Sequence, residues 1–245
     1  SFFLRTPTDT GGVTYTFGGN SLTLQYPGSN VRSIIYKGGA NDIVTINNLT
    51  NAFGGILENG GSGNVTVTYT GNRYTIAANS AIYANQGPLI CGYPLVGAEG
   101  VILTNAGGNV ITYNNDNSGF KGKLYLSTVN FGNGGGNTRV ILNAANSMPG
   151  NPSVFTPDQI LLFSGCTLQD NVGLTFNNAN SGITLLGPGN GNIDTTATTI
   201  MAQPITDVTN SVSSVASLTK AGAGTLALNA VNNYSGGTII SAGTL

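Results

Sequence analysis

Apolar and polar residues alternate along most of this chain in short runs with a period of two. Val13-Thr14-Tyr15-Thr16-Phe17 and Leu22-Thr23-Leu24-Gln25-Tyr26 are the clearest cases, divided by a Gly18-Gly19-Asn20 corner and followed by Pro27-Gly28. A period of two puts alternate side chains on one buried face, so each run predicts a β-strand. Further runs follow at Ile34–Tyr36, Ile43–Ile46, Gly55–Leu57, Val65–Tyr69, Tyr74–Ala77 and Ala81–Tyr83. The second half continues with Val101–Leu103, Val110–Tyr113, Lys123–Val129, Arg139–Leu142, Gln159–Phe163, Cys166–Leu168, Leu174–Phe176 and Ile183–Leu186. Helix is nowhere favoured. Short strands divided by turn residues suit either the stacked turns of a solenoid or an antiparallel sandwich. Gly-rich corners that continue unchanged into the second half favour the solenoid.

The last stretch, Leu218–Leu245, contains a repeat: Gly224-Thr225-Leu226 returns nineteen residues later as Gly243-Thr244-Leu245. A period of that size belongs to repeat arrays. Its segments Thr225–Leu228 and Thr238–Ile240 carry Thr, Leu and Ile, which suit a half-buried strand, and Gly and Asn tolerate the positive φ of sharp corners. One such unit leaves its own apolar face uncovered and must stack on neighbours about 4.8 Å away. We therefore expect an all-β fold, a right-handed parallel β-helix or β-solenoid with loop excursions.

Within this stretch Leu218, Thr219, Lys220, Gly222, Gly224, Thr225, Leu226 and Leu228, then Asn233, Tyr234, Ser235, Gly236, Gly237 and Thr238, and last Gly243, Thr244 and Leu245 follow one pattern in order. The pattern resembles the autotransporter-associated β-strand repeat family of secreted and surface proteins of Gram-negative bacteria. A weaker likeness runs through residues 118–217, at Ser118–Leu124, Met148–Gln159 and Gly165–Gln169. The resemblance implies a long extracellular β-solenoid on the bacterial cell surface, and it brings no catalytic residues with it.

Three intervals break the rhythm. Asn85–Gly97, with Pro88 and Pro94, reads as a loop thrown out from one rung. Asn143–Asp158 holds Pro149, Pro152 and Pro157, none of which donates to a ladder, and reads as a second excursion. Asp194–Ser217 reads as a looser rung or a surface arm. The expected organisation is an N-terminal β-rich region over residues 1–97, the first rungs or a cap, and a solenoid over residues 98–245.

Composition supports a folded, weakly charged chain. Charged residues make up 7% against a usual quarter, hydrophobic residues 40%, and there are 37 Gly and no His or Trp. Disorder requires the reverse balance. Like charges would repel along stacked rungs, whereas Thr and Asn rows hydrogen-bond along them. A net charge of -1 leaves no basic footprint for nucleic acid. No apolar run reaches the eighteen residues of a membrane helix, so no membrane insertion of this segment is expected. A start at Ser1 without a leader reads as a mature secreted product or a fragment.

Candidate chemistry is sparse. Cys91 and Cys166 either close a disulfide or are two separate buried residues, and without His they make no zinc site. The acidic residues Asp9, Asp42, Glu58, Glu99, Asp116, Asp158, Asp170, Asp194 and Asp207 are all isolated in sequence. Stacking that brought two of them to roughly 5–10 Å would suit glycoside hydrolysis, while His-based mechanisms are excluded. Gly134–Asn137 and Gly187–Asp194 approach a calcium corner but lack its repeated Asp, and read as turns. Gly18-Gly19 and Gly222–Gly224 precede no helix and read as corners, not phosphate cradles. Asn48, Asn64 and Asn233 begin glycosylation sequons of the kind frequent by chance in an Asn/Thr-rich chain. Tyr and Phe are spread along the strands, as interior stacking or an outward row for sugars requires.

The leading expectation is a non-catalytic extracellular structural protein without cofactors, self-associating end to end into a filament or a longer solenoid. Phe2, Phe3 and Leu4 at one end and Thr238, Ile239, Ile240, Thr244 and Leu245 at the other are the candidate joining strands, although Phe2–Leu4 also suits an end-cap. One alternative is an adhesin that meets a glycan or cell surface through the loops Asn85–Gly97 and Asn143–Asp158. The second is a polysaccharide-degrading β-helix.

Overall fold

The computed structural model describes the backbone of seven strands before residue 80. From there it describes residues 80–245 apart from 86, 93, 98–99, 107, 129–136, 149, 151 and 209–214, with side chains from residue 81. The expected strand Leu22–Tyr26, the corner Gly18-Gly19, most of Gly134–Asn137 and the sequons at Asn48 and Asn64 lie outside the described residues.

The described residues form strands and no helix. A nine-stranded sheet runs from Phe2–Arg5 through Arg32–Lys37, Gly55–Asn59, Ser80–Ala84, Val101–Asn105, Leu124–Leu126, Thr156–Phe163 and Ser181–Leu186 to Ile205–Asp207. A ten-stranded sheet runs from Thr14–Phe17 through Asp42–Asn47, Val65–Thr70, Leu89–Gly92, Val110–Tyr113, Arg139–Leu142, Thr167–Asp170, Gly189–Thr195 and Ala216–Ala221 to Thr238–Ile240. A three-stranded sheet, Thr175–Phe176, Thr198–Met201 and Thr225–Leu228, and a pair, Tyr74–Thr75 with Leu95–Val96, supply third positions. Every strand pair among the described residues is parallel. The chain is thus a parallel β-solenoid, and the antiparallel sandwich is ruled out. Strands on either side of residue 97 share both long sheets, Ser80–Ala84 pairing with Val101–Asn105.

Register stacks like on like. In the ten-stranded sheet Leu89, Ile111, Val140, Leu168 and Ile193 form one inward column, each at most 1% exposed. In the nine-stranded sheet Ile82, Leu103, Leu126, Leu162 and Leu185 form another. Burial of these aliphatic columns drives the coiling, at about 25 cal/mol per Å² of apolar surface removed from water. Outside, amides ladder along a corner: Asn143 Nδ2 donates to Asn114 Oδ1 (3.2 Å), and Asn171 Nδ2 to Asn143 Oδ1 (2.7 Å). The hydroxyls of Thr184 and Thr206 pair at 3.2 Å in the same manner.

Three intervals read as irregular belong to the stack. Asn85–Gly97 contributes Leu89–Gly92 and Leu95–Val96, so its prolines sit beside short strands rather than in one long loop. Gly187–Asp194, expected as a turn, turns only at its start and then enters Gly189–Thr195. Its first inward position is Gly191, where a β-carbon would crowd Leu162 and Leu185. An inward glycine erases the apolar alternation. Asp194–Ser217 supplies Thr198–Met201 and Ile205–Asp207, and is a rung rather than an arm. The second expected excursion ends at Thr156, where Thr156–Phe163 begins despite Pro157, because a bulge opens the register between Thr156 and Ile160.

Candidate functional site

Two places stand out on a molecule otherwise devoted to stacking: the last rung and a pocket in the side wall. At the last rung the sequence repeat becomes a physical one. Thr225 bridges Thr244, Leu226 N donates to Thr244 O at 2.9 Å, and Thr244 N donates to Gly224 O at 3.1 Å. The two Gly-Thr-Leu copies therefore lie one above the other. Gly222 and Gly243 take positive φ, 75° and 72°, which suits glycine at these corners. A β-carbon at Gly224 would overlap the Ala197 backbone of the rung below.

Lys220 occupies the inward column of Ile193 and is fully buried. Its Nζ donates to the carbonyls of Ala221 (2.6 Å), Gly222 (2.8 Å) and Ala242 (3.2 Å), tying one corner to the next. Burial lowers its pKa and the nearby Asp194 carboxylate opposes that shift. Ile240 pairs above Lys220 and is 55% exposed; Ile239 next to it, and Leu245 and Val231 elsewhere in the matched repeat, are exposed as well. Thr238–Ile240 is the terminal strand of its sheet, so one edge is unpaired within the described chain. Phe2–Arg5 lies at the opposite extremity, as the first strand of the other long sheet. The two candidate joining strands therefore belong to different sheets, a point that sequence does not reveal.

The cysteines form no disulfide, and both are buried. Cys91 lies on Leu89–Gly92 and Cys166 just before Thr167–Asp170, three pairings along the same sheet. At about 4.8 Å per rung they are some 14 Å apart along the stack, beyond disulfide reach. Burial pushes the Cys166 thiol up to about 11. Burial, with the Cys91 thiol beside it, also raises the Tyr113 phenol. Neither cysteine is expected to react with a disulfide reagent at pH 8 in the folded protein, and both should react at once in denaturant. Rapid native labelling of either would contradict this burial.

The acids whose side chains are described all make structural bonds. Asp170, 1% exposed, accepts from the amides of Val172 (2.9 Å), Gly173 (3.1 Å) and Leu174 (2.6 Å) and from the Thr199 hydroxyl (2.7 Å). Asp194 pairs with Arg139 at 3.0 Å and Asp158 with Lys123 at 2.6 Å. Asp207 accepts from the Ser235 amide at 2.6 Å. Bonds from the Ser118 side chain and backbone lower the pKa of Asp116. No cluster of three metal-ligating side chains occurs among the described residues.

The pocket, about 660 Å³, opens where the third ladder is interrupted. Gly150 N donates to Phe120 O on one side, and on the other Thr175–Phe176 is the edge of the three-stranded sheet. The excursion through Asn146, Met148 and Gly150 supplies one wall, and the bulged Thr156–Phe163 strand contributes Ile160. Of the two loops expected to face a partner, Asn143–Asp158 lines this pocket; Asn85–Gly97 does not.

No curated protein and no solved structure matches this chain. Residues 218–245, which carry the stacked Gly-Thr-Leu copies and the caged Lys220, match the family model of the passenger-associated-transport-repeat.

Proposed function

We propose that the chain is a non-catalytic, secreted or surface-exposed bacterial β-solenoid of the autotransporter-passenger kind, whose stack is extended by adding a rung at Thr238–Ile240. The observation that carries this reading is the register of the last rung. The matched repeat is stacked on its own copy and leaves Ile239 and Ile240 exposed on a strand with an unpaired edge. An edge with apolar side chains and open backbone groups is a template for another strand. A charge-poor surface offers little repulsion against such addition. In end-to-end assembly the strand that meets Thr238–Ile240 is Thr14–Phe17 of the next copy, the first strand of the same sheet. Phe2–Arg5 then meets the Ile205–Asp207 side, where Asn233 already bridges Thr206.

Sedimentation velocity across a hundredfold concentration range tests the proposal. The wild-type chain should form concentration-dependent oligomers. Ile240→Lys, which sets a charge over the open core column, should weaken association at least tenfold with little change in fold. Monodisperse wild-type monomers at the highest concentration would refute end-to-end assembly.

A further inference from the structure

We infer that the side-wall pocket is a binding site for a neutral oligosaccharide. This goes beyond the structural role proposed above and does not depend on it. The floor is largely apolar: Ile160, Leu174, Phe176 and Ile183 are core residues, with Met148 packed against them, and buried Ser181 and Gln203 are its polar members. The rim is polar and exposed, with Ser118, Asn146, Thr175 and Asn177 presenting two amides and two hydroxyls. A pyranose has the matching division, an apolar C–H face and a girdle of hydroxyls that both donate and accept. Side-chain amides and hydroxyls also do both, so each can serve a sugar hydroxyl in either sense. The edge strand Thr175–Phe176 adds backbone groups at the same lip. The volume falls within the range of small-ligand pockets.

The lining also selects against other ligands. Lys121 is the one charged residue among the described lining residues, so an acidic oligosaccharide, with a carboxylate on each unit, finds a single cation to pair with, and its Nζ already donates to Ser118 O at 2.9 Å. An apolar peptide would cover the floor but leave the amide and hydroxyl rim unpaired, at a cost for each desolvated group. No carboxylate is found among the described residues that line the pocket, so the bound sugar is held and not cleaved. The site owes its existence to the local breaks in the stack: the excursion before Thr156, the bulge that follows it, and the third ladder that resumes only at Thr175.

Isothermal titration calorimetry of the full chain decides the matter. The panel comprises neutral gluco-, manno- and galacto-oligosaccharides of two to four units, an oligogalacturonate, and an eight-residue peptide of alternating Val and Thr. At least one neutral oligosaccharide should bind with Kd at or below about 1 mM, the oligogalacturonate and peptide more weakly. Asn177→Ala and Thr175→Val, both at exposed rim positions, should each weaken binding about tenfold with an unchanged unfolding midpoint. Asn143→Ala, on the amide ladder outside the pocket, should leave binding unchanged. No binding by any neutral member, tighter binding of the acidic sugar or peptide, or equal loss in the Asn143 variant would overturn the inference.

Discussion

Asp170→Ala is expected to lower the free energy of unfolding by about 3–4 kcal/mol, read as a shift of the denaturant midpoint. Asp170 pairs with Leu142 below and Thr195 above, in a column that runs through Cys91 and Tyr113. Instead of adding to the apolar packing, its carboxylate gathers three successive amides, Val172, Gly173 and Leu174, and the Thr199 hydroxyl. Alanine leaves those donors facing a void, and each buried unsatisfied group costs about 1–3 kcal/mol. Part of that cost is recovered where water reaches the exposed Val172, which is why the sum stays below four full penalties. Asp170→Asn keeps one acceptor oxygen and should lose roughly half as much. Equal stability of the alanine variant would mean that the corner holds its shape without the carboxylate.

Lys220→Ala should cost about 2–4 kcal/mol and should release the last rung before the rest of the stack. Three carbonyls lose their donor, one of them Ala242 on the final turn, and the Ile193 column gains a cavity. Hydrogen exchange localises the effect. The Ser241 amide, bonded to Lys220 O, and the Leu226 amide, bonded to Thr244 O, should lose protection, while the Val140 and Leu168 strands keep theirs. Lys220→Met fills the column without feeding the carbonyls, and should retain part of the stability. The pH dependence has a definite sign. The folded pKa is below that of free lysine, so between the two the unfolded chain binds more protons. Wild type should accordingly gain stability relative to Lys220→Met as pH rises through that window. A gain on acidification would mean that the ammonium is favoured by the fold.

These two residues mark where sequence reasoning stopped. Lys220 was recognisable as a letter of the repeat pattern, but its alternation partners, Leu218 and Thr219, gave no sign of which way it pointed. Asp170 read as one isolated acid among nine. A lysine or aspartate in an inward column is tolerable only because polar groups of its own corner and of the next rung converge on it, and those groups come from residues one to 29 positions away. The pocket was equally hidden. The prolines of Asn143–Asp158 announced an excursion, but the break in the third ladder beside it depends on which rungs lack a partner strand. Gly189–Thr195 was missed for a simpler reason: its inward glycine carries no hydrophobic signal.

Alternation of period two, glycine corners and a nineteen-residue return were enough to establish strands, their small number of residues, and their parallel stacking. These follow from forces that act within one rung and between identical neighbours, and a linear string records both. Which sheet each terminal strand belongs to, how far apart the two cysteines lie, what surrounds the buried charges and where the wall opens are set by the register of distant segments. Register is chosen by the packing of whole columns, a sum over many rungs that no single stretch of residues contains.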